Sequence, residues 1–456
     1  MLRPLYLKIA VALVLWTGSA WFSPAHAANP NVNNGFVQQQ AVGGISINAD
    51  GVLKNMSVED RKELRDARAK ALAKPAADME RATNLRQISL AKLDAAIREH
   101  LDKKQPLPES ILFLAGLQRI EYVFVDPDHH DIILAGPGEG WKVNDDGTVV
   151  GVKSGLPVLQ LDDLVMALRS TEAVRQAGIT CSIDPTPEGI SRVKTLLSQQ
   201  HEIGPNPQAT INAIEQALGS QIVTVTGIPA TSRFARVLVA ADYRMKRLGM
   251  KLDESPVTGL PSYLDLAAAG PTGLANAFPR WWLVPNYDAV LRDPEGLTWK
   301  FNGSVKCLAA EDYMNATNHK QQTVKAGPAA QKWADNMTKK YDELAKKEPI
   351  FGELKGCMDL AIVGTLIAKE RLLEKTGLTL AVLADEKAYA PSQFSSPKTI
   401  ASQASFMKKG SNWLISASGG VEIQPWEVVQ TVKQDERLSA ARKDAPANKS
   451  AHWWWD

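Results

Sequence analysis

Several side chains occur in an order that acyl transfer could use. Ser89-x-x-Lys92, Tyr313-x-Asn315 and Lys375-Thr376-Gly377 would supply a serine nucleophile, its lysine partner and a strand lysine to hold a carboxylate. The context argues against that chemistry. Lys375-Thr376-Gly377 falls where a helix ends and glycine serves as its cap, whereas the reaction needs that lysine on a strand. Ser405-x-x-Lys408 repeats the first pattern, so the pattern is unspecific. A second candidate is Asp126, Asp128, His129, His130 and Asp131, which offer the oxygen and imidazole donors that hold divalent ions. Adjacent histidines on an extended chain point to opposite faces, and Asp-Pro is ordinary turn chemistry. A solvated loop is expected there, and no metal is assigned.

Other catalytic signatures fail on context. Gly136-Pro137-Gly138-Glu139-Gly140 leads into a strand, whereas phosphate binding needs a helix N-terminus; a bend between two hairpins is expected. His201-Glu202 has Pro205 where a zinc protease carries its second histidine, and no G-x-S-x-G elbow occurs. No catalytic residue and no cofactor can be named.

Binding chemistry is better represented. A helix beginning after Ser232 carries Arg233, Arg236, Arg244, Lys246, Arg247 and Lys251. Arg236, Arg244 and Arg247 are candidate contacts for an anionic glycan or lipid head group, unless they are solvated or paired within the chain. Trp281-Trp282 reads as a strand whose aromatics are core or line a sugar platform. Trp453, Trp454 and Trp455 follow a polar stretch. Left in water they would expose several hundred Å2 of aromatic surface, on the order of a functional patch, which marks a docking element for an envelope protein or a glycan unless they fold back onto the chain.

The composition sets the class. The 456 residues are 45% hydrophobic and 22% charged, with three cysteines, which excludes disorder and a disulfide-dense miniprotein. Arg3 and Lys8 lie in an N-terminal stretch without acids; an apolar run, Ile9 to Phe22, and Ala25-His26-Ala27 follow it. That is the pattern of a secretory signal peptide cleaved near Ala27. Beyond it, basic and acidic residues balance, so no field draws in nucleic acid. No later apolar run is long enough to span a bilayer, and the mature chain is expected in the periplasm or outside the cell. There Cys181, Cys307 and Cys357 allow one disulfide, or three buried thiols.

The elements that must position these residues are mixed. An Asn/Gln-rich linker and a first strand (28–56) precede a helical arm (57–105), opened by the capping box Ser57-Val58-Glu59-Asp60 and continued by the stripe Leu90, Leu93, Ile97 and Leu101. In 106–325, hairpins are expected at Tyr122–Leu134 and Trp141–Val152, Asp162 or Asp163 caps a short helix, and strands fall at Ile179–Ile183, Gln221–Ile228, Trp281–Val284 and Leu297–Leu308. The segment 326–430 is helical, with the stripe Trp333, Met337, Tyr341 and Leu344 and the all-apolar Leu360–Ala368, and a last hairpin joins Trp413–Ser416 to Val421–Ile423. Residues 431–456 form a tail. Gly43-Gly44-Ile45-Ser46-Ile47 and Gly419-Gly420-Val421-Glu422-Ile423 echo each other, as neighbouring strands would. The fold class is α+β, with mixed antiparallel sheets and hairpins, a helical N-terminal arm and a helical C-terminal segment.

Six words occur in order: LAGLQRIEYVF (Leu114–Phe124), LAGPGEGW (Leu134–Trp141), CSIDPTPEG (Cys181–Gly189), RFARVLVAADYRMK (Arg233–Lys246), GLPSYL (Gly259–Leu264) and PRWWLV (Pro279–Val284). In these the chain resembles an uncharacterised family of exported bacterial proteins, domain of unknown function 1598. The resemblance spans about Ile111 to Tyr313 and implies an extracytoplasmic location; it carries over no functional residue. The expectation is an exported, non-enzymatic binding or envelope-associated protein, and the alternative is a cell-envelope hydrolase with an unrecognised site.

Overall fold

The computed structural model describes residues 41–199, 207–269, 279–314, 320–323, 326–407, 412–414, 416–444 and 454–455. The signal segment, the linker to Gln40, His201-Glu202, Asn315 and Trp453 lie outside them. The strands that matter below are β1 (Thr83–Ser89), β2 (Tyr122–Asp126), β3 (Asp131–Gly138), β4 (Ile179–Asp184), β5 (Gln221–Thr226), β6 (Pro279–Tyr287), β7 (Gly303–Met314) and β8 (Ser418–Ile423). The helices are α1 (Val58–Ala71), α2 (Leu90–Asp102), α3 (Leu161–Arg169), α4 (Arg233–Gly249), α5 (Pro328–Lys347) and α6 (Pro349–Lys369).

The architecture is α+β, as the sequence predicts. A ten-stranded sheet runs Ala41–Val42, Ile45–Ile47, Val52–Asn55, Thr399–Ile400, β5, β4, β8, β6, β7 and Lys320–Thr323. Most neighbours are antiparallel, while β6 and β8 run parallel. A second sheet of six strands runs Val432–Gln434, Val290–Arg292, Thr298–Lys300, β2, β3 and β1. Between them sits a helical layer centred on α6, which is apolar on nearly every side and buried from Pro349 to Ile367 apart from Gly352 and Lys355. It packs on α3, α4 and α5.

Local chemistry places the helices where the sequence predicts them. Ser57 Oγ accepts from Asp60 N at 3.0 Å and Asp60 Oδ2 accepts from Ser57 N at 3.3 Å, the reciprocal capping box that starts α1. Ser232 Oγ accepts from Ala235 N at 3.1 Å and starts α4. The stripe Trp333, Met337, Tyr341 and Leu344 of α5 is buried.

Several expectations are corrected. The arm is not wholly helical, because Arg86–Ser89 of β1 is buried against β3. Gly136 and Gly138 do not bend the chain between hairpins. They lie in β3, where a Cβ on Gly136 would stand 2.2 Å from the Arg119 carbonyl oxygen. The helix α3 is preceded by Gln160, which puts Asp162 and Asp163 in its first turn. The last hairpin does not form. Asn412–Leu414 pairs with Ser405–Met407, and β8 is drawn between β4 and β6. The two Gly-Gly strands share the large sheet, separated by four strands.

Candidate functional site

Helices α4 and α5 pack on one face of the large sheet along β4, β8, β6 and β7. Period-two alternation sends Cys181, Ile183, Val223, Val421, Trp281, Leu283, Val305 and Cys307 to the helix side, where all are buried. There the Trp281 ring meets Trp333 of α5 at 4.2 Å and Tyr263 at 5.5 Å between centroids. The intervening residues point the other way. Register pairs align Leu308, Trp282, Gly420, Ser182 and Thr224 in one row across β7, β6, β8, β4 and β5. Beside it run Glu422, Thr180 and Thr226, with Arg280 and Ser418 on the other flank. Four strand spacings make this row about 19 Å long.

The chemistry of this face is uniform. Thr180 and Thr226 share a hydroxyl hydrogen bond of 2.6 Å, and Ser182 and Thr224 add two more hydroxyls. Trp282 is half-buried, and its ring lies 5.1 Å from the Arg280 guanidinium, which fixes its orientation. Gly420 beside it presents no side chain and is itself buried. The buried Ser418 hydroxyl has no hydrogen-bond partner among the described residues. Ile222 and Leu308 remain 45% exposed at opposite ends of the face, large apolar side chains still in contact with water. Among the described side chains of this face, Arg280 and Lys306 offset Asp184 and Glu422. An aromatic platform, four hydroxyls and balanced charge suit a neutral, polyhydroxylated ligand.

The basic helix takes a different part. Arg236 is fully buried in α4, donates to the Ser395 carbonyl at 3.0 Å and stacks over Phe394; burial pushes its pKa down to about 10. Arg244 is bidentate to Glu348 at 2.5 and 2.7 Å and also pairs with Asp253, which Arg247 grips through both oxygens at 2.7 Å. These arginines pin the loop after α4, which borders an open cleft of about 400 Å3 lined by Lys251, Glu254, Leu260 and Asp265. Lys246 points inward, donating to Asp242 at 3.0 Å and to the carbonyls of Ile183 and Gly419 at 2.6 and 3.0 Å, and so holds β4 and β8 together.

Two buried carboxyls titrate in an unusual range. Burial pushes Asp242 up to about 7 despite Lys246, and Asp163 up to about 6 despite Arg233. Both folded-state values lie above the ordinary carboxyl value near 3.8. The folded chain therefore holds more protons than the unfolded chain between those limits, and this part of its stability is present below about pH 4 and lost as pH rises. Unfolding free energies from urea titrations should fall between pH 5 and pH 8, by roughly 1 kcal/mol per pH unit for each group in its titrating range. Asp242→Asn should flatten that slope; a free energy that rises over the same interval contradicts the assignment.

The other sequence candidates do not converge. Ser89 is buried as the cap of α2, donating to Asp131 at 2.5 Å and accepting from Lys92 N at 3.1 Å. His129 turns back to Asp126 at 2.8 Å, while His130 reaches the Thr376 carbonyl at 2.6 Å. Among the described residues no three His, Cys, Asp or Glu side chains gather as metal ligands. Cys181, Cys307 and Cys357 are free and buried. Gly377 has φ +66° and ends the short helix Leu372–Thr376, the cap expected of it. Trp454 and Trp455 fold back on the chain, with Trp455 bridging Ile88 of β1. No helix among the described residues is long and apolar enough to cross a membrane.

The open face was partly legible. Two adjacent tryptophans on a strand must face opposite ways, so Trp281 and Trp282 could not both be core. The row as a whole is hidden from the sequence, because β4 acquires its partner β8 from a segment more than 200 residues downstream.

No curated protein and no solved structure matches the chain. A family model does match residues 181–263, which contain most of β4, all of β5 and α4, and the loop to Tyr263. The words Leu114–Phe124, Leu134–Trp141 and Pro279–Val284 lie outside this match. Over residues 181–263, where the hydroxyl half of the open face is built, the chain is similar to the family described as protein of unknown function (DUF1598).

Proposed function

We propose that the protein is an exported, non-enzymatic binding protein that holds an uncharged glycan chain against the open face of its large sheet. The observation that carries this reading is the row Leu308, Trp282, Gly420, Ser182 and Thr224. A pyranose ring stacks its C–H face on an indole, and its hydroxyls pair with serine and threonine. Export is supported by Arg3 and Lys8, the apolar run and Ala25-His26-Ala27. N-terminal sequencing of the secreted chain should read from Ala28; a chain still beginning at Met1 would remove the compartment from the proposal.

The test is a glycan array probed with the mature chain. Binding should fall on neutral oligosaccharides and persist at 0.5 M salt, because an uncharged ligand releases few counterions. Binding confined to anionic glycans and abolished by salt would refute this reading and favour a charged site.

A further inference from the structure

The cleft at the C-terminal end of α4 lies on the helix side of the large sheet, opposite to Trp282. Its volume of about 400 Å3 falls within the range of about 300–1,000 Å3 typical of small-molecule sites. Leu248, in the last turn of α4, forms its apolar floor with Val257 and Leu260 of the following loop, and all three are buried. The loop is held in shape before any ligand arrives. Asp253 accepts from Arg244 and, through both oxygens, from Arg247, which also donates to the Leu252 carbonyl at 3.3 Å. The rim carries both signs of charge. Lys251 donates to Asp265 Oδ1 at 2.6 Å, and Asp265 Oδ2 accepts from Ser262 Oγ at 2.7 Å, so that acid is satisfied within the chain. An ammonium has three N–H donors, which leaves Lys251 two more. Glu254 is exposed and makes no hydrogen bond or ion pair among the described residues. It stands near enough to Lys251 that, after Asp265, it helps raise that amine above its ordinary value.

We infer that this cleft binds a free amino acid with an aliphatic side chain. The ligand carboxylate accepts from the remaining N–H groups of Lys251, its ammonium donates to Glu254, and its side chain covers Leu248, Val257 and Leu260. Hydrogen bonds between ionised groups are roughly twice as strong as neutral ones, so the two rim contacts set the orientation. The pairing of charges selects the class. A lone cation would meet the like charge of Lys251, a lone anion that of Glu254, and a neutral sugar would take water from both without replacing it by a counter-charge. A zwitterion with an apolar body satisfies the rim and the floor together. The arginines that clamp Asp253 lower the cost of binding, because the loop does not have to be ordered when the ligand enters.

The test is titration calorimetry of the mature chain with L-leucine at two temperatures. Isocaproate, which lacks the ammonium, and isopentylamine, which lacks the carboxylate, probe each charge in turn. L-leucine should bind saturably, and each analogue roughly tenfold more weakly or worse. Glu254→Gln changes one exposed group, and Lys251→Gly keeps a backbone at φ +56° that glycine adopts freely. Both should weaken leucine by roughly tenfold or more with an unchanged circular dichroism spectrum, while Trp282→Ala should leave it unaltered and so separate this site from the glycan face. No saturable binding of leucine or of glycyl-leucine would overturn the inference. Isopentylamine or isocaproate binding as tightly as leucine would overturn the zwitterion and make the cleft a site for one charge. Leucine binding that both rim variants leave unchanged would overturn the cleft as its location.

Discussion

Arg233→Met is expected to destabilise the fold by about 3–5 kcal/mol, the loss typical of breaking a buried ion pair by removing one partner. Arg233 stands at the first turn of α4 and ties Asp163 of α3 to Glu353 of α6, and all three are largely removed from water. Burial would lower the arginine pKa, but the two carboxylates override it and hold the guanidinium charged. Asp163 Oδ1 and Glu353 Oε2 have no other hydrogen-bond partner among the described residues. They flank a cavity of about 10 Å3, which is at the lower limit for one water. Methionine keeps the length and removes the cation, leaving two carboxyls that must bind protons to stay buried. Urea unfolding should show the loss in full at pH 8 and a smaller loss at pH 5, where the Asp163 carboxyl, pushed up to about 6, already favours protonation. The double variant Arg233→Met with Asp163→Asn should recover part of it. A loss below about 1 kcal/mol at pH 8 would mean that the three charges are solvated in solution.

Trp281→Ala and Trp282→Ala, one residue apart, should differ severalfold in effect. Trp281 is fully buried between the sheet and α5, against Trp333 and Tyr263, and a Cβ on Gly249 would already collide with its ring. Its truncation opens a cavity in a layer that cannot collapse around it, at about 3–5 kcal/mol. Trp282 keeps solvent on its outer side, so its truncation should cost under about 1 kcal/mol. Thermal or urea denaturation of both variants checks the pair. Equal losses would mean that the outer face of the sheet is covered in solution.

What could be read from the residues follows the range of the interactions. Caps and stripes are local, so Ser57, Ser232 and the Trp333 stripe announce α1, α4 and α5. The mixed fold class follows from such pieces. Sheet order does not, because β8 joins β4 and β6 through residues far apart in the chain, and its Gly419-Gly420 reads locally as a turn. β1 is hidden for a related reason: Arg86 and Gln87 are polar yet buried, so no alternation marks the strand. Charge and aromaticity single out Arg236, Arg244, Arg247 and the terminal tryptophans in the sequence. The structure turns Arg236 inward, engages Arg244 and Arg247 with carboxylates, and seats Trp455 on β1. Trp282 carried a signal in its neighbour, since one of two adjacent tryptophans on a strand must leave the core.

The central claim is that the open face of the large sheet is where ligand binds, and titration calorimetry of the mature chain with the best neutral oligosaccharide tests it most directly. Trp282→Ala, folded and with an unchanged melting temperature, should bind at least about tenfold more weakly, a loss of about 1.4 kcal/mol, while Trp455→Ala should bind as the wild type does. An affinity that Trp282→Ala leaves untouched and Trp455→Ala abolishes would contradict the account and move the glycan site to the tail.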